Sequence, residues 1–452
     1  MRPFLFFALL AAAPSFAAVR AGVARVDITP SGPIWMSGYA SRNHPSESVR
    51  QHLWARAVAI DTGSGGRLVI VGTDLIGLPF EVANEVAARA RQKFGIERSH
   101  LLLNSSHTHT GPVVWPNLAS MFALPPGEDQ KLKAYAAHLT DDLVAVIGGA
   151  LADLRPATIA FGFGQAGFAI NRREPTANGV RIGLNPSGPV DHEVPVIRIA
   201  SADGHLLAIL FAYACHNTTL TGEFYQISGD YAGFAEAELE SKNPGATAVY
   251  LQLCAGDQNP NPRSTPELAE QHGHELAAEV GRVLTTSMKP LAGRLRTAYA
   301  MTTLPFAPVE RSTYEADLRN PKSSPAARQR AQKMLAAIDS GHPIRDTPYP
   351  VQAIRFGNAL TLLALGGEVV VDYDLRAKRE YPGEPLIVAA YSNAVMCYIP
   401  SERVLKEGGY EAVDNLIYYG QPGPFAPGVE NTVFEAVHKV MKEVGQALPP
   451  AR

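Results

Sequence analysis

The sequence predicts a mixed α/β fold. Runs rich in β-branched and other apolar residues alternate with amphipathic stretches along the whole chain, the pattern of layered helices and strands. Turn chemistry at Ala202-Asp203-Gly204 and at Gly357-Asn358 separates alternating segments, which predicts two antiparallel hairpins. Several strands also run directly into polar clusters, which is where α/β folds hold their chemistry.

In chain order, strands are expected over Trp54–Ile60, Leu68–Val71, Leu101–Asn104, Thr158–Phe163, Val194–Ile199, Leu206–Ala212, Ala248–Leu253, Gln352–Phe356, Leu360–Leu365 and Leu386–Ala390. Helical spacing of apolar residues predicts helices over Glu81–Phe94, Asp129–Leu154, Tyr231–Glu240, Pro266–Thr286, Pro325–Ser340 and Asn431–Val444. The polar span from Val309 to Pro350 has its own helical period and reads as an insertion or lid.

With 452 residues, 46% hydrophobic and 18% charged, the chain has the composition of a globular protein with one large or two medium domains. Its net charge of -3 offers no electrostatic footprint for nucleic acid. Arg2, the apolar run Phe4 to Ala13 and the small-x-small step Ser15-Phe16-Ala17 predict a signal peptide over residues 1–18 and an exported, periplasmic or secreted product. No later stretch is apolar for long enough to suggest an integral membrane segment. Three cysteines, Cys215, Cys254 and Cys397, cannot form a disulfide framework; a Cys215–Cys254 bridge and buried free thiols are both open.

The sharpest local signal is Ser106-His107-Thr108-His109-Thr110-Gly111-Pro112. In extended backbone, two imidazoles two residues apart point the same way and can share a metal or divide ligand and proton-carrier roles. His272 and His274 repeat the pattern inside a predicted helix, where such residues do not share a face, and are expected on the solvated surface. His216 ends a hydrophobic strand, and Glu368 follows Gly366-Gly367 directly after another.

Together with dispersed motifs, these residues resemble the neutral/alkaline non-lysosomal ceramidase family. The resemblance rests on Asp27-Ile28-Thr29-Pro30 and Met36-Ser37-Gly38-Tyr39, on Thr108–Pro112, and on Ile170-Asn171-Arg172. It continues through Ser392-Asn393 with Tyr398, and Gly409-Tyr410-Glu411. It implies a large mixed-sheet layered α/β catalytic domain over residues 19–452. It also implies zinc (Zn2+) held by His107, His216, Glu368 and Tyr398, with His109, Arg172 and Tyr410 around the reacting carbonyl of a small-molecule or lipid-like N-acyl substrate. Two imidazoles and a carboxylate suit catalytic zinc.

Two departures stand out. The family serine in the Gly-Asp-x-Ser-Pro-Asn loop is replaced in Gly256-Asp257-Gln258-Asn259-Pro260-Asn261. Asn259 cannot be an acyl nucleophile but can hydrogen-bond to substrate. After Tyr410 the chain has room for one closing helix and none for the family's C-terminal immunoglobulin-like domain, which makes a smaller amide as fitting a substrate as ceramide. The expected function is zinc-dependent hydrolysis of an N-acyl amide, with a metallo-esterase or a non-catalytic zinc-containing binding protein as alternatives. Trp115–Phe122 and Tyr418–Phe425 are candidates for an acyl-chain groove.

Overall fold

A computed structural model describes residues 19–447; the expected signal peptide lies outside them. Its centre is a mixed sheet in the order Thr247–Gln252, Leu206–Tyr213, Glu193–Ser201, Arg155–Gln165, Arg20–Asp27, Trp54–Asp61, Arg67–Thr73, Leu101–Ser105. Parallel pairing occurs at its two ends, Leu206–Tyr213 with Thr247–Gln252 and Arg67–Thr73 with Leu101–Ser105. The two ends meet: the Gln252 amide donates to Asn104 Oδ1 at 2.8 Å. Strands that start far apart in sequence therefore finish side by side.

A second sheet, Leu295–Pro305, Asp346–Phe356, Leu360–Leu365 and Leu386–Ala389, adjoins this closure through a bridge between Leu253 and Ala389. The interior of the two sheets is nearly all Val, Ile, Leu and Ala. Both predicted hairpins are present, the first between Glu193–Ser201 and Leu206–Tyr213 and the second between Asp346–Phe356 and Leu360–Leu365.

Helices Phe80–Phe94 and Glu128–Ala152 cover one face, packing Val82, Val86, Leu139, Leu143 and Ile147 against the inner strands. Asp230–Lys242 and Pro266–Leu284 cover the other end of the same face, the second sheet packs on the opposite face, and Val429–Glu443 closes that second sheet. Local chemistry sets their limits. Thr265 and Ser324 accept hydrogen bonds from the amides of Leu268 and Ala327, each followed by a proline at the first helical position. Gly95, at φ 68°, ends Phe80–Phe94 in a left-handed cap.

One open alternative is decided here and one sequence expectation is corrected. Cys215, Cys254 and Cys397 are all buried free thiols, so the Cys215–Cys254 bridge is not formed. His272 is buried and not on the solvated surface: it stacks on Phe168 at 4.5 Å and its Nε2 meets the Pro262 carbonyl at 2.7 Å. The alternation rule separates the two histidines as expected. It sends His272 to the inner stripe with Ala269 and Leu276, leaving His274 outside against Glu238.

The Val309–Pro350 span forms helices Arg311–Arg319 and Pro325–Asp339, packed on each other, and its last residues already belong to the strand Asp346–Phe356. Among the described residues no helix is long and apolar enough to cross a membrane.

Candidate metal centre

Beyond the strand Leu101–Ser105 the chain turns sharply, with His107 at φ 66°. A non-glycine residue in this region is strained, and such strain concentrates at functional sites. The alternation that follows is clean. Thr108 and Thr110 turn one way, both hydroxyls donating to the Ser228 carbonyl at 2.8 and 2.9 Å, while His107 and His109 turn the other.

Each of three imidazoles places Nδ1 on a backbone carbonyl: His107 on Ile76 at 2.6 Å, His109 on Gly38 at 3.2 Å and His216 on Ala255 at 2.7 Å. A carbonyl only accepts, so Nδ1 carries the proton and Nε2 of the neutral ring keeps its lone pair. These Nε2 atoms face one another. His107 Nε2 and His109 Nε2 are 3.0 Å apart. Glu368 Oε2 lies 2.9 Å from His107 Nε2 and 3.3 Å from His216 Nε2, with no hydrogen-bond partner of its own. Tyr398 Oη lies 3.1 Å from His216 Nε2.

Lone pairs aimed at one another repel unless a cation lies between them. Tetrahedral zinc with ligands at about 2.0–2.1 Å spaces its donor atoms about 3.3 Å apart, close to these separations. The buried trio His107, His109 and His216, with all ligand nitrogens within 4.8 Å of one another, could hold a metal ion. Electrostatics agree with a site prepared for a cation. Burial, reinforced by the neighbouring His107 and His216, holds His109 well below its usual imidazole range. Burial, with Arg172 nearby, pushes His216 down to about 3. Burial would raise the Glu368 carboxyl, but His107 and His216 outweigh it and hold the group well below the usual range.

Beside the histidines, Arg172 Nη2 donates to Tyr398 Oη at 3.0 Å, Nη1 to Asn259 Oδ1 at 3.2 Å, and Nε to Glu411 Oε1 at 2.8 Å. The Tyr410 ring lies 5.4 Å from that of Tyr398, centroid to centroid. His109, Arg172, Asn259, Tyr398, Tyr410 and Tyr418 line a cavity of about 220 Å³. All eight residues singled out in the sequence thus meet in one place.

Ser392-Asn393 has a different position. Asn393 exchanges hydrogen bonds with the Leu103 backbone, and Ser392 Oγ accepts from Asn104 Nδ2 at 3.1 Å, so the pair stitches the two sheets behind the histidines. Sequence reasoning missed Arg42, whose Nη1 donates to the carbonyls of Ser37 and His109, and Tyr419, whose hydroxyl donates to Glu368 Oε1.

Residues 19–275 match the family described as neutral/alkaline non-lysosomal ceramidase, N-terminal. The chain belongs to the neutral/alkaline non-lysosomal ceramidase family. A neutral ceramidase of Pseudomonas aeruginosa is 30% identical over 257 residues, covering 54% of this chain and 37% of that protein. One of Mycobacterium tuberculosis is 28% identical over 253 residues, covering 50% of this chain and 38% of the relative. The matched stretch therefore spans little more than a third of these relatives.

The crystal structure of the Pseudomonas aeruginosa neutral ceramidase superposes with a TM-score of 0.71 at 21% identity, over 96% of this chain and 76% of that one. A structure described as ceramidase complexed with C2 gives 0.73 at 19% identity, over 96% of this chain and 77% of that one. The ceramidase fold therefore extends through Glu368, Tyr398 and Tyr410, which lie beyond the part matched to the family in sequence.

Proposed function

We propose that this ceramidase-family chain is a zinc-dependent hydrolase of N-acyl amide bonds, acting on ceramide or a related N-acyl compound. The observation that carries the reading is the convergence of three deprotonated imidazole nitrogens and the unpartnered Glu368 Oε2 on one buried point. His107, His216 and Glu368 are the ligands in this reading, with the Tyr398 phenol as the fourth. A zinc ion held there supplies Lewis acidity that lowers the pKa of water toward neutrality.

The chain's own groups do the rest. His109 faces the metal point and also lines the cavity, so its Nε2 can take the proton of the attacking water and return it to the leaving nitrogen. Arg172 stays charged, because Tyr398 and Glu411 outweigh the effect of its burial. Arg172 and Tyr410 donate to the developing oxyanion, a contribution of about 3 kcal/mol per donor. Asn259 accepts from Arg172 and fixes the guanidinium plane; hydrolysis in this reading needs no side-chain nucleophile at its position.

The test is zinc content together with hydrolysis of a panel of N-acyl amides and esters that includes ceramide. His107→Ala is expected to lose zinc and turnover. His109→Ala is expected to lose turnover and keep zinc; loss of both would make His109 a ligand. A wild-type protein that holds zinc but hydrolyses neither class would refute the enzymatic reading.

A further inference from the structure

The two oxygens of Glu368 are treated differently. Oε2 faces His107 and His216 and has no hydrogen-bond partner, whereas Oε1 accepts the hydroxyl of Tyr419. A carboxylate that binds a metal through one oxygen is free to rotate unless its other oxygen is held. Such outer partners typically change metal affinity 10–100-fold.

Tyr419 is itself held from several sides. It precedes Gly420, at φ 60°, in a tight turn after the short helix Asp414–Ile417. Lys333, on helix Pro325–Asp339, donates to the Gly420 carbonyl at 2.9 Å. Ser120 donates to the Tyr418 carbonyl at 2.9 Å, and Gln421 Nε2 to the Met396 carbonyl at 3.1 Å. Tyr418 and Tyr419 face different spaces. Tyr418 borders the small cavity beside the histidines, and Tyr419 borders one of about 710 Å³ that also takes in Trp115, Phe122, Met396 and Lys333.

We infer that Tyr419 is a positioning residue for the metal-site carboxylate, and that the helical insertion reaches the metal centre through the clamp Lys333–Gly420–Tyr419–Glu368. This inference rests on the zinc reading of the site but not on the substrate. It gives Val309–Pro350 a role in ordering Glu368, distinct from covering a substrate.

The experiment measures zinc affinity of the apo-protein by competition with a chromophoric chelator, alongside the visible spectrum of the cobalt(II)-loaded protein. Tyr419→Phe keeps the ring and removes only the hydroxyl. It is expected to weaken zinc binding about 10-fold or more and to alter the cobalt ligand-field bands, with the apo-protein melting as wild type. Lys333→Met is expected to weaken zinc binding in the same direction by less, and to add little on top of Tyr419→Phe. Wild-type zinc affinity and cobalt spectrum in Tyr419→Phe would overturn the assignment. A Lys333→Met effect fully additive to it would overturn the clamp. A wild-type protein that binds zinc but cleaves no amide would sink the proposed substrate and leave this inference standing; one that binds no zinc would sink both.

Discussion

Gly38 lies directly against the imidazole of His109. A Cβ built on this residue would come within 2.4 Å of His109 Nδ1 and 2.5 Å of its Cγ, and the backbone φ of 96° already disfavours any other residue. The carbonyl of the same glycine accepts a hydrogen bond from His109 Nδ1–H. One residue therefore fixes both the place and the tautomer of the proposed proton carrier. Gly38→Ala should push the ring aside and cut kcat about 100-fold, since small displacements of a catalytic group have that effect. Zinc content should persist. Loss of zinc on metal analysis, or an unchanged kcat with zinc retained, would contradict this division of labour.

Glu411 anchors two buried guanidinium groups, Arg172 through Oε1 at 2.8 Å and Arg173 through Oε2 at 2.5 Å. Removing one member of a buried charge cluster leaves the others uncompensated and typically costs about 3–5 kcal/mol. Glu411→Ala is expected to lose stability on that scale in denaturant titration. It should also lose turnover, because Arg172 would no longer be aimed at Tyr398 and Asn259. Equal stability of variant and wild type would show that the arginines find other partners.

Asn259 engages Arg172 through Oδ1 at 3.2 Å. Hydrogen bonds to charged groups contribute about 1.5–3 kcal/mol. Asn259→Ala is therefore expected to lower kcat/KM roughly 10–100-fold with zinc content unchanged, and Asn259→Ser to retain more activity than Asn259→Ala. An inactive Asn259→Ala protein with normal metal would instead make this side chain indispensable to the chemistry.

The strongly apolar elements were legible because their signal is local. Leu101–Ser105, Leu360–Leu365 and Leu386–Ala389 are apolar runs buried on both faces, and each expected strand was present to within a few residues at its ends. Arg20–Asp27, Leu295–Pro305 and Gly179–Asn185 were missed because much of their length is exposed, and Ala169–Thr176 because most of what it buries is polar, Asn171, Arg172 and Arg173. Helix Asp372–Glu380 was missed for the same reason, since it buries only Tyr373, Asp374 and Ala377.

At the site, His107 and His109 announced themselves by their spacing and His216 and Glu368 by their places at strand ends, whereas Tyr398 and Tyr410 were recognisable only through the family resemblance. Tyr419 and the role of Glu411 were invisible for a physical reason. Their partners lie 51 and 239 residues away, Glu368 for the first and Arg172 for the second, and a contact of that range leaves no periodic or spacing pattern.

Asp374 offers a test of buried charge away from the metal centre. Its side chain is buried, neither oxygen has a hydrogen-bond partner of good geometry among the described residues, and the Lys378 ammonium lies 3.2 Å away. Burial, reinforced by Asp191 and opposed by Lys378, pushes the carboxyl up to about 8, against an unfolded value near ~3.9. Between these limits the folded chain binds the proton and the unfolded chain does not. The group's contribution to stability is therefore complete below the unfolded pKa and is lost as pH rises through about 8. Asp374→Asn keeps the shape and removes the charge, while Lys378 retains Asp191 and Glu193. The variant should match wild type near the unfolded pKa. It should then gain progressively with pH, by up to about 1.4 kcal/mol per pH unit between the two pKa values, and level off above about 8. Denaturant midpoints measured from pH 4.5 to 9 decide this: a stability difference that does not grow with pH would mean that Lys378 holds Asp374 ionised throughout.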